Sequence, residues 1–297
     1  MYHYVRDVER TPFPGIKGAS VAEFRRHVAL VKETFETPGL EDCIAFLRGE
    51  LKSDRNLCIL TFDDGLREHH DTVAEILVDE GVPGAFFLPT AALEDHEVLA
   101  VHMNHFLLAF LGTTEFRAHF EKAATDLGIS LPDEPTPAQV KAAYRWDDDE
   151  TARFKYLVNH QLAPSTSERI LAHVFPEVLG DPVEFAKSLY VDWDMARSMQ
   201  QSGLHVGGHS HRHKVLASLS DDDGRSDLER CRDLLSANLG TGSRGFAYPY
   251  GKPATYTEGT IADLDELGFS CAFNTTVDLG RSGTSVWEIP RIDPKDL

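Results

Sequence analysis

The sequence predicts an α/β fold in which parallel strands and helices alternate to form a barrel. Short apolar segments rich in β-branched and aromatic residues recur along the chain, and helix-like stretches lie between most of them. Strands that alternate with helices form parallel βαβ units. The chain has 297 residues, a length at which single α/β barrels are common, so we expect a barrel rather than an open sheet.

The predicted strands lie at residues 57–62, 84–88, 205–208, 245–248, 269–273 and 286–289. Two of the intervening stretches, 72–79 and 228–239, show an apolar stripe at helical spacing. Residues from about 94 to 190 break the alternation and are mostly helical in pattern. We therefore expect a helical insertion at about 94–190 within one catalytic domain that spans residues 1–297.

The composition excludes some classes of protein. The 29 basic and 48 acidic residues give a net charge of −19, which disfavours binding to nucleic acids and to anionic membranes. The longest apolar run, residues 106–111, is too short to span a bilayer. The four cysteines form no C-x-x-C pair, and no signal peptide is visible. These features favour a cytoplasmic protein, although a secreted chain whose leader had been removed would look the same.

Two adjacent carboxylates directly follow the first predicted strand, in the segment Thr-Phe-Asp-Asp-Gly at residues 61–65. Catalytic groups of α/β barrels gather at such strand ends. Neighbouring carboxylates repel each other unless a cation lies between them, and one can then bind a metal while the other takes a proton. The alternative for Asp63 and Asp64 is an ordinary turn that caps a helix. His69 and His70, a little further on, are expected to be exposed.

Three histidines alternate after the Val-Gly-Gly segment at residues 206–208, at positions 209, 211 and 213. Two imidazoles and one carboxylate form a common mononuclear zinc set. His209 and His213 share a face if the loop turns helically, whereas His211 joins them if the segment is extended. An exposed, pH-sensitive histidine cluster is the alternative.

A third segment ends the strand at 245–248 in a loop rich in aromatic residues, proline and glycine. Tyr248, Pro249 and Tyr250 lie in this loop. Such a loop suits a rigid wall for a sugar ring and supplies backbone N–H groups. A tight turn with packed tyrosines is the alternative.

Together the three segments resemble the polysaccharide deacetylase family, the NodB-homology carbohydrate esterases of family 4. Residues 61–65 match its first motif, His-Ser-x-x-His at 209–213 its second, and Pro-Tyr-Gly at 249–251 the end of its third. The resemblance covers 57–87 and 191–273, and the insertion has no clear counterpart. It implies a distorted, incomplete, TIM-like (β/α) barrel of about seven strands, and metal-dependent removal of acetyl groups from sugars.

The resemblance also implies roles for individual residues. Asp63 is the general base, and Asp64, His209 and His213 bind a divalent metal, with zinc expected and cobalt or nickel as alternatives. The backbone N–H of Tyr250 stabilises the oxyanion, and Pro249 and Tyr248 lie beside the substrate.

Two features depart from the family pattern. Ala247 occupies the position of the arginine in the third motif, and Arg291, just past a late predicted strand, is our candidate to orient Asp63, with a surface role as the alternative. No histidine follows His213, so the C-terminal histidine that acts as general acid is missing. The first and last strands of a barrel are neighbours, so a circularly permuted arrangement would put His3 in that position. The alternative for His3 is a core histidine in a short strand.

We therefore expect a metal-dependent hydrolase that removes an N-acetyl or related acyl group from an amino sugar of a glycan or sugar-linked intermediate. Its partner is a carbohydrate substrate, with no nucleic acid and no membrane span. One alternative is a metal-dependent C–N hydrolase that acts on a non-sugar amide. A catalytically inactive carbohydrate-binding homologue is the other.

Overall fold

The computed structural model describes residues 1–143, 148–240, 242 and 244–296. The chain divides into two compact units. The first comprises Met1–Asp7, Gly18–Glu97 and Ala186–Leu297, and the second comprises Val8–Lys17 and Val98–Phe185.

The first unit contains a five-stranded sheet. Its strands are β1 (Leu60–Phe62), β2 (Gly84–Leu88), β3 (His205–Gly208), β4 (Gly245–Ala247) and β5 (Cys271–Phe273). They lie side by side in chain order, and every neighbouring pair is parallel. Parallel neighbours require crossover connections, and helices supply them.

Twelve helices are described, along with shorter helical turns. They are α1 (Val21–Thr34), α2 (Leu40–Leu47), α3 (Glu75–Glu80), α4 (Thr90–Glu94), α5 (Ala100–Asp126), α6 (Pro137–Ala143), α7 (Asp149–Tyr156), α8 (Pro164–Leu179), α9 (Pro182–Leu189), α10 (Trp193–Gln201), α11 (Asp221–Leu239) and α12 (Glu258–Glu266). A π-helical turn, His69–Ala74, leads directly into α3.

Two short segments flank the sheet, one at each edge. Tyr2 forms a parallel bridge with Phe62 of β1, and Ile289 forms one with Phe273 of β5. The Met1 nitrogen donates to the Ile292 carbonyl oxygen at 2.6 Å, so the two outer segments meet. Five strands and two bridged segments thus lie side by side, which confirms the predicted α/β fold with a distorted, incomplete (β/α) barrel.

The sheet is buried on both faces. Phe86 and Phe87 are adjacent in β2 and both are fully buried. Phe86 stacks on Phe62 on one face, with ring centroids 4.6 Å apart, while Phe87 contacts Phe273 on the other at 5.3 Å. Helix α2 packs against the Phe87 face. This double burial explains why the strands are continuous apolar runs instead of alternating patterns.

The second unit is helical and has its own aromatic core. Phe116, Phe120 and Phe154 pack edge to face, with centroids between 4.9 and 6.3 Å apart. Gly112, with a φ of 73°, interrupts α5. The insertion predicted at about 94–190 falls on this unit, to which Val8–Lys17 also belongs. That both units form one catalytic domain stays a prediction.

A search of the described helices for one long and apolar enough to cross a bilayer finds none.

The close approach of β3 to β4 depends on a glycine. A Cβ atom at Gly207 would lie 2.3 Å from the Gly245 carbonyl oxygen. We expect Gly207→Ala to lower the free energy of unfolding by about 1–3 kcal/mol, because the strands must move apart. Urea unfolding followed by circular dichroism measures this change.

Gly224→Ala in α11 is the matched control, because its Cβ would meet only Leu219 Cβ at 4.0 Å. There alanine should raise stability by up to about 1 kcal/mol through helix propensity. Equal effects of the two substitutions would contradict the packing argument.

Candidate active site

Asp63 and Asp64 follow β1 directly, and a sharp turn separates their side chains. Asp64 has a φ of 76° and Gly65 a φ of 61°, so both are left-handed. Such a conformation costs a non-glycine residue about 1–3 kcal/mol and persists only where its surroundings impose it. The turn allows the two carboxylates to reach different partners.

Asp64, His209 and His213 form a buried group suited to a metal ion. One ligand atom from each lies within 4.8 Å of the other two. Asp64 Oδ1 is 3.5 Å from His209 Nε2 and 3.4 Å from His213 Nε2. A carboxylate and two imidazoles are the donors of a common mononuclear zinc centre, so this set fits a divalent cation.

The tautomer of His209 is suited to metal binding. Its Nδ1–H donates to the Ala247 carbonyl oxygen at 2.7 Å, which leaves the Nε2 lone pair directed to the group. Burial lowers the pKa of His209, but Asp64 and Asp63 together raise it above its ordinary value. The same negative charge that favours a proton there also favours a divalent cation.

Backbone strain concentrates at this site. Within the described part of the chain, five residues other than glycine have a positive φ, and four of them are Asp64, Ser210, His213 and Tyr250. The loop after β3 is held by Asp227, whose carboxylate accepts the backbone N–H groups of residues 211 and 212 at 2.7 and 3.1 Å. Positive φ values at such positions are typical of functional sites.

His211 lies in the same loop but points away from the group. Its Nδ1 is 2.9 Å from Thr90 Oγ1, and its Nε2 is 3.3 Å from Asp95 Oδ2. Of the two arrangements that the sequence left open, the structure therefore shows the one in which His209 and His213 share a face.

Asp63 forms a buried, bidentate ion pair with Arg291. Arg291 Nη1 and Nη2 donate to Asp63 Oδ1 and Oδ2, each at 2.7 Å, and Arg291 Nε donates to the Asn274 carbonyl oxygen at 2.9 Å. Burial raises the pKa of Asp63, but the charge and hydrogen bonds of Arg291 together with the charge of His209 outweigh burial and lower the pKa to about 2. Asp63 is therefore ionised at neutral pH, beside the candidate metal group.

A polar network behind Arg291 was not found from the sequence. Asn274 Nδ2 donates to the Tyr256 hydroxyl at 3.2 Å, and that hydroxyl donates to Glu288 Oε1 at 3.0 Å. The Asn274 carbonyl oxygen in turn binds Arg291. Asn274 directly follows β5, so the rule that functional residues gather at strand ends was the one signal that indicated it.

The loop after β4 brings only one of its predicted residues to the surface. Tyr250 is 45% exposed, and its ring centroid lies 4.9 Å from that of His213. Pro249 is buried. Tyr248 is 1% exposed, its hydroxyl donates to the Trp287 carbonyl oxygen, and its ring stacks on Tyr256 at 3.8 Å. Tyr248 thus supports the loop from inside, and its burial does not match the expected contact with substrate.

His3 lies beside the same strand end. The Tyr2 nitrogen donates to the Thr61 carbonyl oxygen at 2.8 Å, and the Asp63 nitrogen donates to the Tyr2 carbonyl oxygen at 3.0 Å. His3 is half-buried, and its charge is one of the influences that lower the pKa of Asp63. The two ends of the chain therefore both supply residues to this region.

Comparison with known proteins finds a family match over part of the chain. Residues 158–272 match the polysaccharide deacetylase family, which confirms the resemblance for the segment that contains its second and third motifs. Asp63, Asp64, His3 and Arg291 lie outside the matched segment. No curated protein matches the chain.

Solved structures share the fold. The deacetylase PplD of Streptococcus pyogenes, in complex with acetate, is 14% identical, with a TM-score of 0.59 over 100% of this chain and 93% of that one. IcaB from Ammonifex degensii is 17% identical, with a TM-score of 0.60 over 99% and 90%. A de-N-acetylase from Aggregatibacter actinomycetemcomitans is 15% identical, with a TM-score of 0.56 over 98% and 92%. At such low sequence identities, the similarity shows a shared fold and no more.

The candidate metal group predicts a specific pattern of zinc binding. We expect one zinc ion per chain, and His209→Ala, His213→Ala or Asp64→Ala should each weaken binding by about 100-fold or more, since even the loss of outer partners costs about 10- to 100-fold. Isothermal titration calorimetry of metal-free protein measures the affinity.

His211→Ala is the matched control from the same loop, because its ring contacts Thr90 and Asp95 instead. It should bind zinc almost as the parent chain does. A loss of affinity as large as that of His209→Ala would contradict the assignment.

Proposed function

Because residues 158–272 match the polysaccharide deacetylase family, we propose that the chain is a metal-dependent deacetylase that hydrolyses the N-acetyl group of an amino sugar in a glycan. One observation carries the proposal. The buried group of Asp64, His209 and His213 lies at the ends of parallel strands, beside an Asp63 that is kept ionised. Amide hydrolysis requires an activated water, a polarised carbonyl and an acid for the departing amine.

We assign the metal to Asp64, His209 and His213, and zinc is the ion we propose, since two imidazoles and a carboxylate suit it. When bound, a divalent ion would polarise the acyl carbonyl and lower the pKa of a nearby water. The tautomer of His209 supports this assignment, because Ala247 holds the proton of its ring on Nδ1.

Asp63 takes a proton from the attacking water in this proposal. Its two oxygens accept hydrogen bonds from Arg291, and each keeps a further lone pair that can receive a proton. Because Arg291 holds the pKa of Asp63 at about 2, the carboxylate is ionised at the start of each turnover. The same low pKa makes the protonated carboxyl release its proton readily afterwards.

His3 donates a proton to the leaving amine, and the backbone N–H of Tyr250 stabilises the oxyanion. The position of His3 near Asp63 supports the first role. The left-handed backbone of Tyr250 and the contact of its ring with His213 support the second. The exposed ring of Tyr250 offers an apolar face on which a sugar can stack.

The substrate class follows from the family and from the charge of the chain. The solved structures named above as deacetylases, and above all the de-N-acetylase, favour an N-acetylated sugar as substrate. A net charge of −19 disfavours a strongly anionic polymer. A cytoplasmic location stays a prediction from the sequence.

Acetate release tests the proposed function. The chain should release acetate from N-acetylglucosamine oligomers, and a chelator should abolish this activity until zinc or cobalt is added back. Asp63→Asn should retain zinc but lose turnover by about 100- to 10,000-fold, the range for removal of a general base. An enzymatic acetate assay and elemental analysis of the same samples provide both readouts.

Asp71→Asn, an exposed carboxylate on the following helical turn, is the control and should leave turnover unchanged. Loss of zinc from Asp63→Asn would mean that the roles of Asp63 and Asp64 are reversed. Release of acetate from simple amides but from no sugar would favour the non-sugar C–N hydrolase.

A further inference from the structure

His69 is a buried histidine to which the proposed mechanism gives no role. The sequence-based expectation that it is exposed is wrong, because its exposure is 0%. The ring lies against Phe62 and Phe86, with centroids 5.7 and 5.8 Å away. Burial lowers the pKa of His69, which favours the neutral ring.

The ring makes one hydrogen bond, and it is to the backbone of His3. His69 Nε2 donates to the His3 carbonyl oxygen at 2.8 Å. Within the part of the chain that the structure describes, Nδ1 has no hydrogen-bond partner. Burying a polar ring is costly unless its hydrogen bonds are made, so phenylalanine would fill this space at lower cost. What the histidine adds is its bond to His3.

That bond fixes the part of the chain that carries His3. The nitrogen and oxygen of Tyr2 already pair with β1. Tyr2 stacks on Phe62 at 5.4 Å, and Tyr4 is also buried. The His3 side chain, between these two buried tyrosines, is half-buried, and its charge acts on Asp63.

The helical turn that carries His69 holds this segment at a second point. Glu68, the preceding residue, accepts two hydrogen bonds from Arg6, at 2.7 and 2.5 Å. The π-helical turn His69–Ala74 begins at His69 itself, and such turns often occur at functional sites. Glu68 therefore holds the Arg6 side chain and His69 the His3 carbonyl oxygen, on either side of Tyr4.

We propose that His69 is a positioning residue that holds the backbone of His3 so that the His3 imidazole is directed at the leaving amine. This inference rests on the proposed function, in which His3 is the general acid. His69 acts through its Nε2–H bond alone and touches neither the substrate nor the metal ligands.

The test compares two substrates that differ in their need for an acid. An N-acetylglucosamine oligomer expels an amine and needs a proton, whereas 4-nitrophenyl acetate expels a stable phenolate and does not. His69→Phe should lower kcat on the oligomer by about 10- to 100-fold, the range for a misplaced catalytic group. KM, zinc content and hydrolysis of 4-nitrophenyl acetate should stay within about twofold of the parent chain.

Two further variants separate positioning from simple packing. His69→Gln keeps a donor at similar reach and should restore most of the lost turnover. His205→Phe is the matched control, because this ring also contacts a phenylalanine and has Nε2 beside a backbone group, Gly245 N, at 3.2 Å. If His205→Phe slows hydrolysis at all, it should slow hydrolysis of both substrates by the same factor.

A double-mutant cycle decides whether His69 works through His3. In a His3→Ala background, His69→Phe should cause no further loss on the oligomer. A full additional loss there, or equal slowing of both substrates by His69→Phe alone, would overturn the inference and leave the proposed function intact. A parent chain that releases no acetate, or a His3→Ala variant with full turnover, would instead overturn the proposed function and the inference with it.

Discussion

The ion pair between Asp63 and Arg291 is the interaction on which the rest of the structure depends. Removing two charges from water costs several kcal/mol each, and only good geometry offsets that cost. Here the geometry is bidentate, and the Asn274 carbonyl oxygen satisfies the remaining side of the guanidinium. The pair joins the end of β1 to the last extended segment, across 228 residues. It therefore links the first strand to the C-terminal segment and keeps Asp63 ionised at the same time.

The two ends of the chain meet near this pair, and the proposed site draws one residue from each end. Where the sequence resemblance implies an arginine in the third motif this chain has Ala247, and Arg291 reaches Asp63 from a different segment. The backbone of Ala247 still contributes, since its carbonyl oxygen orients His209. His3 approaches from the opposite end of the chain because the first segment pairs with β1. The first and last segments thus bring His3 and Arg291 to the region of Asp63.

The sequence predicted the site best where polar residues directly follow predicted strands. Asp63, Asp64, His209 and His213 each follow a buried strand, and parallel strands bring such residues together. The direction of His211 was not predictable, because it depends on left-handed backbone at Ser210 and His213, and those residue types give no such signal. Asn274 and His69 were missed for another reason. Asn274 contacts Arg291 through its backbone carbonyl oxygen, and His69 binds the backbone carbonyl oxygen of His3. Every residue has such an oxygen, so the sequence gives no signal for either contact.

The account holds that Arg291 keeps Asp63 ionised, so the acidic limb of the pH–rate profile tests it most directly. Without Arg291, the main influence that lowers the pKa of Asp63 is lost, and burial should raise that pKa from about 2. Turnover needs the ionised carboxylate, so activity in Arg291→Met at saturating zinc should disappear at a higher pH than in the parent chain. Arg225→Met, which removes a surface arginine paired with Asp263, should leave the profile unchanged. An acidic limb in Arg291→Met that coincides with that of the parent chain, at equal turnover and zinc content, would contradict the account.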